Sequence, residues 1–332
     1  MLSEHICQGL LEGYLLTGRH GLFTCYEAFI HIVDSMFNQH AKWLQASGEV
    51  SLAPTDRQLQ LLALFARVAS RSQRLHPPGP GLPRHCAEQE SRDRPGLPAA
   101  RCQHAALSTY DHCLRSRHYM NVVIAGKQPQ EDWLSVTDAE LHCARGVGIW
   151  DWAGNRDDLG SVPDVVLACA GDIPTLETLA AASILQERLP DLRVRVINVV
   201  DLMRLLPESD HPHGLPDREF DTLFTESQPV IFAFHGYPWL VHRLSYRRHN
   251  HDQLHVRGYR ERGTTTTPFD MVMLNDLDRF HLVMDVIDRV NGLGMRAAGL
   301  RQEMVDARLR ARAWTRDHGV DKPEVADWRW RS

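Results

Sequence analysis

Several things are missing from this 332-residue chain, and each absence removes a class of function. No stretch approaches the roughly 20 consecutive apolar residues of a membrane span, so no transmembrane helix is predicted. The N-terminus, MLSEHICQGLLEGYLL, opens with an acid and has no basic n-region, which argues against a signal peptide. Excess positive charge is absent too. The net charge is −5, so no global basic field invites nucleic acid or anionic lipid. Neither a Gly-x-Gly-x-x-Gly loop nor a Gly-x-x-x-x-Gly-Lys-Ser/Thr loop is present, which leaves dinucleotide and P-loop nucleotide binding unsupported. Cysteine is sparse and scattered: Cys7, Cys25, Cys86, Cys102, Cys113, Cys143 and Cys169 include no Cys-x-x-Cys pair. An odd, dispersed set reads as reduced thiols in a cytoplasm rather than a disulfide framework or a zinc site. His249, His251 and His255 fit no zinc spacing, and no metal ligand is assigned.

What is present suffices for about two domains of soluble globular protein, with 43% hydrophobic and 24% charged residues. Leu10, Leu11, Tyr14 and Leu15 recur at helical spacing, and Gly18 and Gly21 punctuate the chain just beyond them. A second helical run, about 26–44, sets Phe29, Ile32, Val33 and Phe37 on one face. Residues 53–106 then change character. They hold seven prolines, are rich in Arg, and contain no Lys, Ile, Asn, Met, Tyr or Trp. Such a composition predicts an irregular stretch. Beyond it, Tyr110–Arg117 reads as a helix and Tyr119–Ala125 as a buried strand, with an inter-domain connection after Gly126. Asp164–Ala170, Val194–Val200 and Val230–Phe234 are short apolar runs, interleaved with helical patterns at Thr175–Arg188, Asp217–Phe224 and Asp278–Val290. That alternation predicts an α/β domain with a mostly parallel sheet. Thr264–Thr267, with Pro268 and Asp270, reads as a turn leading into a strand.

Long segments carry a more specific message. SEHICQGLLEGYLLTGRHGLFTCYEAFIHIVDSMFNQHAKWL at 3–44, DHCLRSRHYMNVVIAGKQP at 111–129, GDIPTLETLAAASIL at 171–185 and FAFHGYPWLVHRLSYRRHNHDQLHVRGYRERGTTTTPFD at 232–270 closely resemble xylulose-5-phosphate/fructose-6-phosphate phosphoketolases. With NVVDLMRLLPESDHPHGLPDREFDTLF at 198–224 and MVMLNDLDRFHLVMDVIDRV at 271–290, the resemblance covers most of the chain outside 53–106. It implies an α/β fold: an incomplete transketolase-like pyrimidine-binding domain followed by a C-terminal α/β domain with a mostly parallel sheet. The domains it implies are a helical remnant of the pyrimidine-binding domain at 1–52, the Pro/Arg-rich stretch at 53–106, the end of the pyrimidine domain and a linker at 107–135, and the C-terminal domain at 136–332. It also implies a homodimer, thiamine diphosphate as cofactor, and sugar phosphate and inorganic phosphate as substrates. The family reaction is phosphorolytic cleavage of a ketose phosphate to acetyl phosphate, a shortened aldose phosphate and water.

Carried over by that resemblance, Glu4 is the catalytic carboxylate facing the aminopyrimidine nitrogen. A buried carboxyl with a raised pKa suits a proton shared with that ring. Tyr26 and Phe29 resemble the aromatic residues that pack on the same ring. Lys127 resembles a ligand of the substrate phosphate, a mobile point charge after a rigid strand end.

Two departures bear on activity. The family's N-terminal domain, which holds the diphosphate and its divalent metal, has no counterpart here. Met1 stands where the family has Val before LSEH, as a GTG start codon would give. A block of polar residues that closes the family's site is replaced by LFARVASRSQRLHPPGPGLPRH at 64–85. Permitted codons for Ala66–His85, read one base later, spell HVWRQDHNGFTHQDPGFLD, which resembles the family block. Residues of about 53–106 are therefore read as translated out of frame, and the chain alone is expected to be inactive. The genomic codons test both readings: a frame without shifts removes the second.

Overall fold

The computed structural model describes residues 3–19, 21–26, 30–48, 60–64, 96–98, 121–125, 131–155, 162–259 and 266–330. Helix α1, Glu4–Leu15, ends in a turn at Gly18, whose φ of 79° is the left-handed conformation glycine adopts at little cost. Gly21 packs so closely on α1 that a Cβ there would lie 2.1 Å from Leu11 Cδ1. The chain then enters strand β1, Leu22–Tyr26, and helix α2, Ile30–Gly48. Val33, Phe37 and Ala41 recur at four-residue spacing on α2 and close over Leu15 and Phe23 in a small core. The predicted second helix thus begins at Ile30, and Tyr26 ends a strand. In LFTCY the buried Phe23 alternates with exposed neighbours, and the period of two prevails over the helical one.

A second correction concerns 53–106. Strand β2, Gln60–Leu64, pairs in parallel with β1 on one side and with β4, Asn121–Ala125, on the other. Strand β3, Gly96–Pro98, adds to the far edge of β4, giving the order β1-β2-β4-β3. QLLAL lies in a proline-free span between Pro54 and Pro77, so nothing bars it from a central strand. Pro98 sits on an edge strand, where a missing N–H removes no obligatory ladder bond. The rest of 53–106 and the helix expected at 110–117 lie outside the described residues.

The C-terminal part follows the predicted alternation. Helix α3, Val136–Arg145, is capped by Ser135, whose Oγ accepts from the Asp138 N–H, and ends at Gly146 in the left-handed conformation. Strands β5 (Val147–Ile149), β6 (Val165–Ala170), β7 (Val194–Val199), β8 (Val230–Phe234) and β9 (Leu254–Arg257) form one sheet in the order β5-β7-β6-β8-β9. Only β5 runs antiparallel. Every residue of β6, β7 and β8 is buried, because helices cover both faces. Helices α4 (Asp172–Arg188), α8 (Arg279–Arg289) and α9 (Ala298–His318) pack on one face, against Val165, Leu167 and Cys169. Helices α5 (Asp217–Phe224) and α6 (Pro238–Ser245) pack on the other, against Val166, Ala168 and Ala170.

The strand expected after Thr264–Thr267 is instead a helix, α7, Pro268–Leu274. Proline in the first turn supplies a helical φ and gives up an N–H with no intrahelical partner. Asp321 caps it from a distance, accepting from the Phe269 N–H at 3.0 Å and from the Thr267 hydroxyl. Phe269 and Met273, four apart, are buried together.

Candidate functional sites at two sheet ends

Glu4 opens α1 and is half-buried. A carboxylate there is favoured by the helix dipole. Its charge acts on Cys25, one residue before the carboxyl end of β1. Burial first, and Glu4 second, push the Cys25 thiol up to about 11, so it stays neutral. The helix-to-strand reversal at Gly18 therefore brings Glu4 to the carboxyl end of β1, where ligands of parallel sheets collect. Tyr26 is the last residue of that strand. Its side chain, Phe29 and Lys127 lie outside the described residues, and Lys127 follows the end of β4 by two positions in sequence. Among the described residues no group of three or more His, Cys, Asp or Glu could hold a metal ion.

The second sheet has its own switch point, between β6 and β8. The chain leaves β6 for α4 on one face and leaves β8 for α6 on the other. Gly171, at φ 99°, makes the first exit. A Cβ there would stand 3.0 Å from His235 Cβ and 3.1 Å from its Nδ1, so the imidazole fills the crevice. Gly236 and Gly258 seal the neighbouring strand ends, for a Cβ at Gly258 would meet the Gly236 carbonyl at 2.4 Å. Beside this point runs a buried polar chain that sequence reading missed. Asn198 Nδ2 donates to Thr175 Oγ1 at 3.1 Å, so its Oδ1 accepts from His142 Nε2 at 2.8 Å. Burial, only partly offset by Asn198, holds His142 below the usual histidine range. A neutral imidazole donating through Nε2 ties α3 to β7 and α4, a positioning role that carries no chemistry. No short motif announces it, since its members are 23 and 56 positions apart.

A 730 Å³ groove opens at the opposite, amino-terminal end of the strands. Arg195, Arg218 and His249 share it with Asp217, Asp221 and Glu226, and this balance of charge selects no ligand class. No helix among the described residues is long and apolar enough to cross a membrane.

Comparison with known proteins bears on both parts. Residues 1–116 match the family model described as D-xylulose 5-phosphate/D-fructose 6-phosphate phosphoketolase, and residues 127–330 match the XFP C-terminal domain. A probable phosphoketolase of Nocardia farcinica is 70% identical over 334 residues, covering 99% of this chain and 40% of the relative. One from Streptomyces coelicolor is 58% identical over 333 residues, covering 100% of this chain and 42% of the relative. The chain thus spans about two fifths of the length of these curated relatives. Among solved structures, the transketolase of Leishmania mexicana aligns with a TM-score of 0.58 at 14% identity, over 86% of this chain and 37% of that one. A split-gene transketolase, an inactive β4 tetramer, aligns with a TM-score of 0.53 at 12% identity, over 87% of this chain and 82% of that one. At such identities these structures speak for a transketolase-like fold alone.

Proposed function

Because the chain belongs to the phosphoketolase family, we propose that it carries the pyrimidine-facing part of a phosphoketolase site together with that enzyme's C-terminal domain. The family's reaction is thiamine-diphosphate-dependent cleavage of xylulose 5-phosphate or fructose 6-phosphate by inorganic phosphate, in cytoplasmic carbohydrate metabolism. The bound cofactor would supply carbanion stabilisation. The chain's own contribution is positional. Glu4 is the group that would hold a proton at the pyrimidine nitrogen, with Tyr26 and Phe29 excluding water from the ring and Lys127 taking the substrate phosphate. The observation that carries this reading is the half-buried carboxylate of Glu4 in the first turn of α1, within charge range of the neutral thiol of Cys25 near the strand end that bears Tyr26. Glu4, the described member of this donor set, has the chemistry that the pyrimidine side of the cofactor needs. Its diphosphate and metal are assigned to the additional length found in the relatives, so this chain alone is expected to turn over no substrate.

The test is acetyl phosphate formation from each ketose phosphate and inorganic phosphate, run with the chain alone and with a relative's N-terminal domain added. Glu4→Gln is expected to abolish any activity that complementation restores, by about 10²–10⁴-fold for a lost general acid. Unchanged activity in Glu4→Gln would remove the assignment.

A non-catalytic remnant or dimerisation module is the second reading. The exposed row Ile6, Leu10 and Tyr14 on α1 favours it, at 46, 71 and 48% exposure. Failure of the added domain to restore turnover, with the chain still self-associating, selects this reading over the first.

A further inference from the structure

We propose that His242 and His251 form a two-imidazole site for a divalent transition-metal ion of the zinc class. His242 Nδ1 and His251 Nε2 face each other at 3.3 Å, with ring planes 82° apart. At 3.3 Å the pair lies just beyond the roughly 2.7–3.2 Å of N–H···O hydrogen bonds, so a direct N–H···N bond here is a loose one. Two nitrogens bound at about 2.0–2.1 Å to one tetrahedral ion lie about 3.3–3.4 Å apart, which is the spacing found.

The two rings are held from rigid supports, so the spacing is built into the fold. His242 lies on α6 between the buried Val241 and Leu244. His251 follows Arg248 and Asn250, which anchor the turn. Buried Arg248 donates to the Leu205 carbonyl at 3.0 Å and to the Leu215 carbonyl at 3.0 Å. Asn250 Nδ2 donates to the Phe224 carbonyl at 2.9 Å. Ligands fixed in this way lose little freedom on binding. Both histidines are half-buried, so water reaches the open coordination positions. His255 on β9 lies within charge range of His242 and is a neighbouring imidazole, but no three ligating groups converge among the described residues. Water therefore completes the coordination. His249, in the same run, turns away to Asp221 at 2.8 Å. Bound metal would clip α6 to the turn that leads into β9. Because His242 lies outside the run that invites a motif reading, spacing within 249–255 could not reveal the pair.

The experiment uses the whole chain, stripped with chelator and titrated with Zn²⁺ alone. Diethylpyrocarbonate modification, mapped by mass spectrometry, reports each histidine separately. Zinc is expected to protect His242 and His251 and to leave His249 reactive. His242→Gln should expose His251 in the presence of zinc, and His251→Gln should expose His242. In calorimetry either variant should weaken zinc uptake by at least the ~10-fold that loss of an outer-sphere partner costs. No protection in the unsubstituted chain, or protection of His251 that survives His242→Gln, would overturn the site and leave a plain hydrogen bond. The unsubstituted chain decides the first outcome even if a variant fails to fold.

Discussion

At the scale of single residues, a buried ionic pair ties two helices of the C-terminal domain. Glu177 Oε2 accepts from the Arg279 N–H at 2.8 Å and from Nε at 2.9 Å, while Oε1 accepts from Nη2 at 2.8 Å. Both side chains are almost wholly buried. Removing one partner strands the other charge, so Glu177→Ala is expected to cost about 3–5 kcal/mol, read as a shift in the urea midpoint at constant slope. Its neighbour Asp278 titrates unusually. Burial pushes this carboxyl up to about 6, against the opposing pull of Arg308. A raised carboxyl pKa means that the folded state holds the proton longer than the unfolded one. The stability it contributes is full below about pH 3.8 and is lost as pH rises through about 6. Asp278 also accepts from the His281 N–H at 3.1 Å as the cap of α8, a role asparagine can keep. Asp278→Asn is therefore expected to gain stability relative to the unsubstituted chain between pH 4 and 7, by up to about 3 kcal/mol. Denaturation at both pH values checks this, and a pH-independent difference would contradict it. Neither Glu177 nor Asp278 stands out in the sequence, because 102 positions separate Glu177 from the arginine that explains it.

Among the elements, α1 has the clearest unspent surface. Ile6, Leu10 and Tyr14 form one face outside the small core of Leu15, Phe23, Val33 and Phe37. The chain is expected to associate through that row, and Leu10→Lys should lower its sedimentation coefficient toward the monomer value. A coefficient unchanged by Leu10→Lys would place the contact elsewhere. Elements in the C-terminal domain are legible wherever burial is two-sided. Val230–Phe234 and Asp217–Phe224 match the expected segments residue for residue, since an unbroken apolar run and a helical face each leave a period in the sequence. Legibility fails where local composition misleads. Tyr26 reads as helical because it precedes a helix. Four threonines before Pro268 read as a turn into a strand, although the proline opens a helix capped by Asp321, far along the chain. The prolines flanking QLLAL hide a five-residue strand that needs only its two neighbours. Of the site, Glu4 can be placed through family resemblance and not through any local pattern, for a lone acid in a first helical turn is ordinary.

Across the whole molecule the two sheets are unequal. Both large cores of the C-terminal sheet draw only on residues from 133 onward, whereas the N-terminal core gathers a handful of side chains. A chain of residues 131–332 is therefore expected to unfold cooperatively by itself, with near-UV aromatic signal intact. Loss of that signal on truncation would mean that the N-terminal sheet supports the C-terminal one. Strand β6 occupies the centre of the larger sheet, and its two partners both follow it in the chain. During synthesis Val165–Ala170 leaves the ribosome well before its second partner exists, since Phe234 lies 64 positions beyond Ala170. At about 5–20 residues per second that interval is roughly 3–13 s. For those seconds a wholly apolar strand waits with at least one edge bare, so the yield of folded protein in a cell should depend on elongation rate and on holding chaperones more than on the stability of the finished domain.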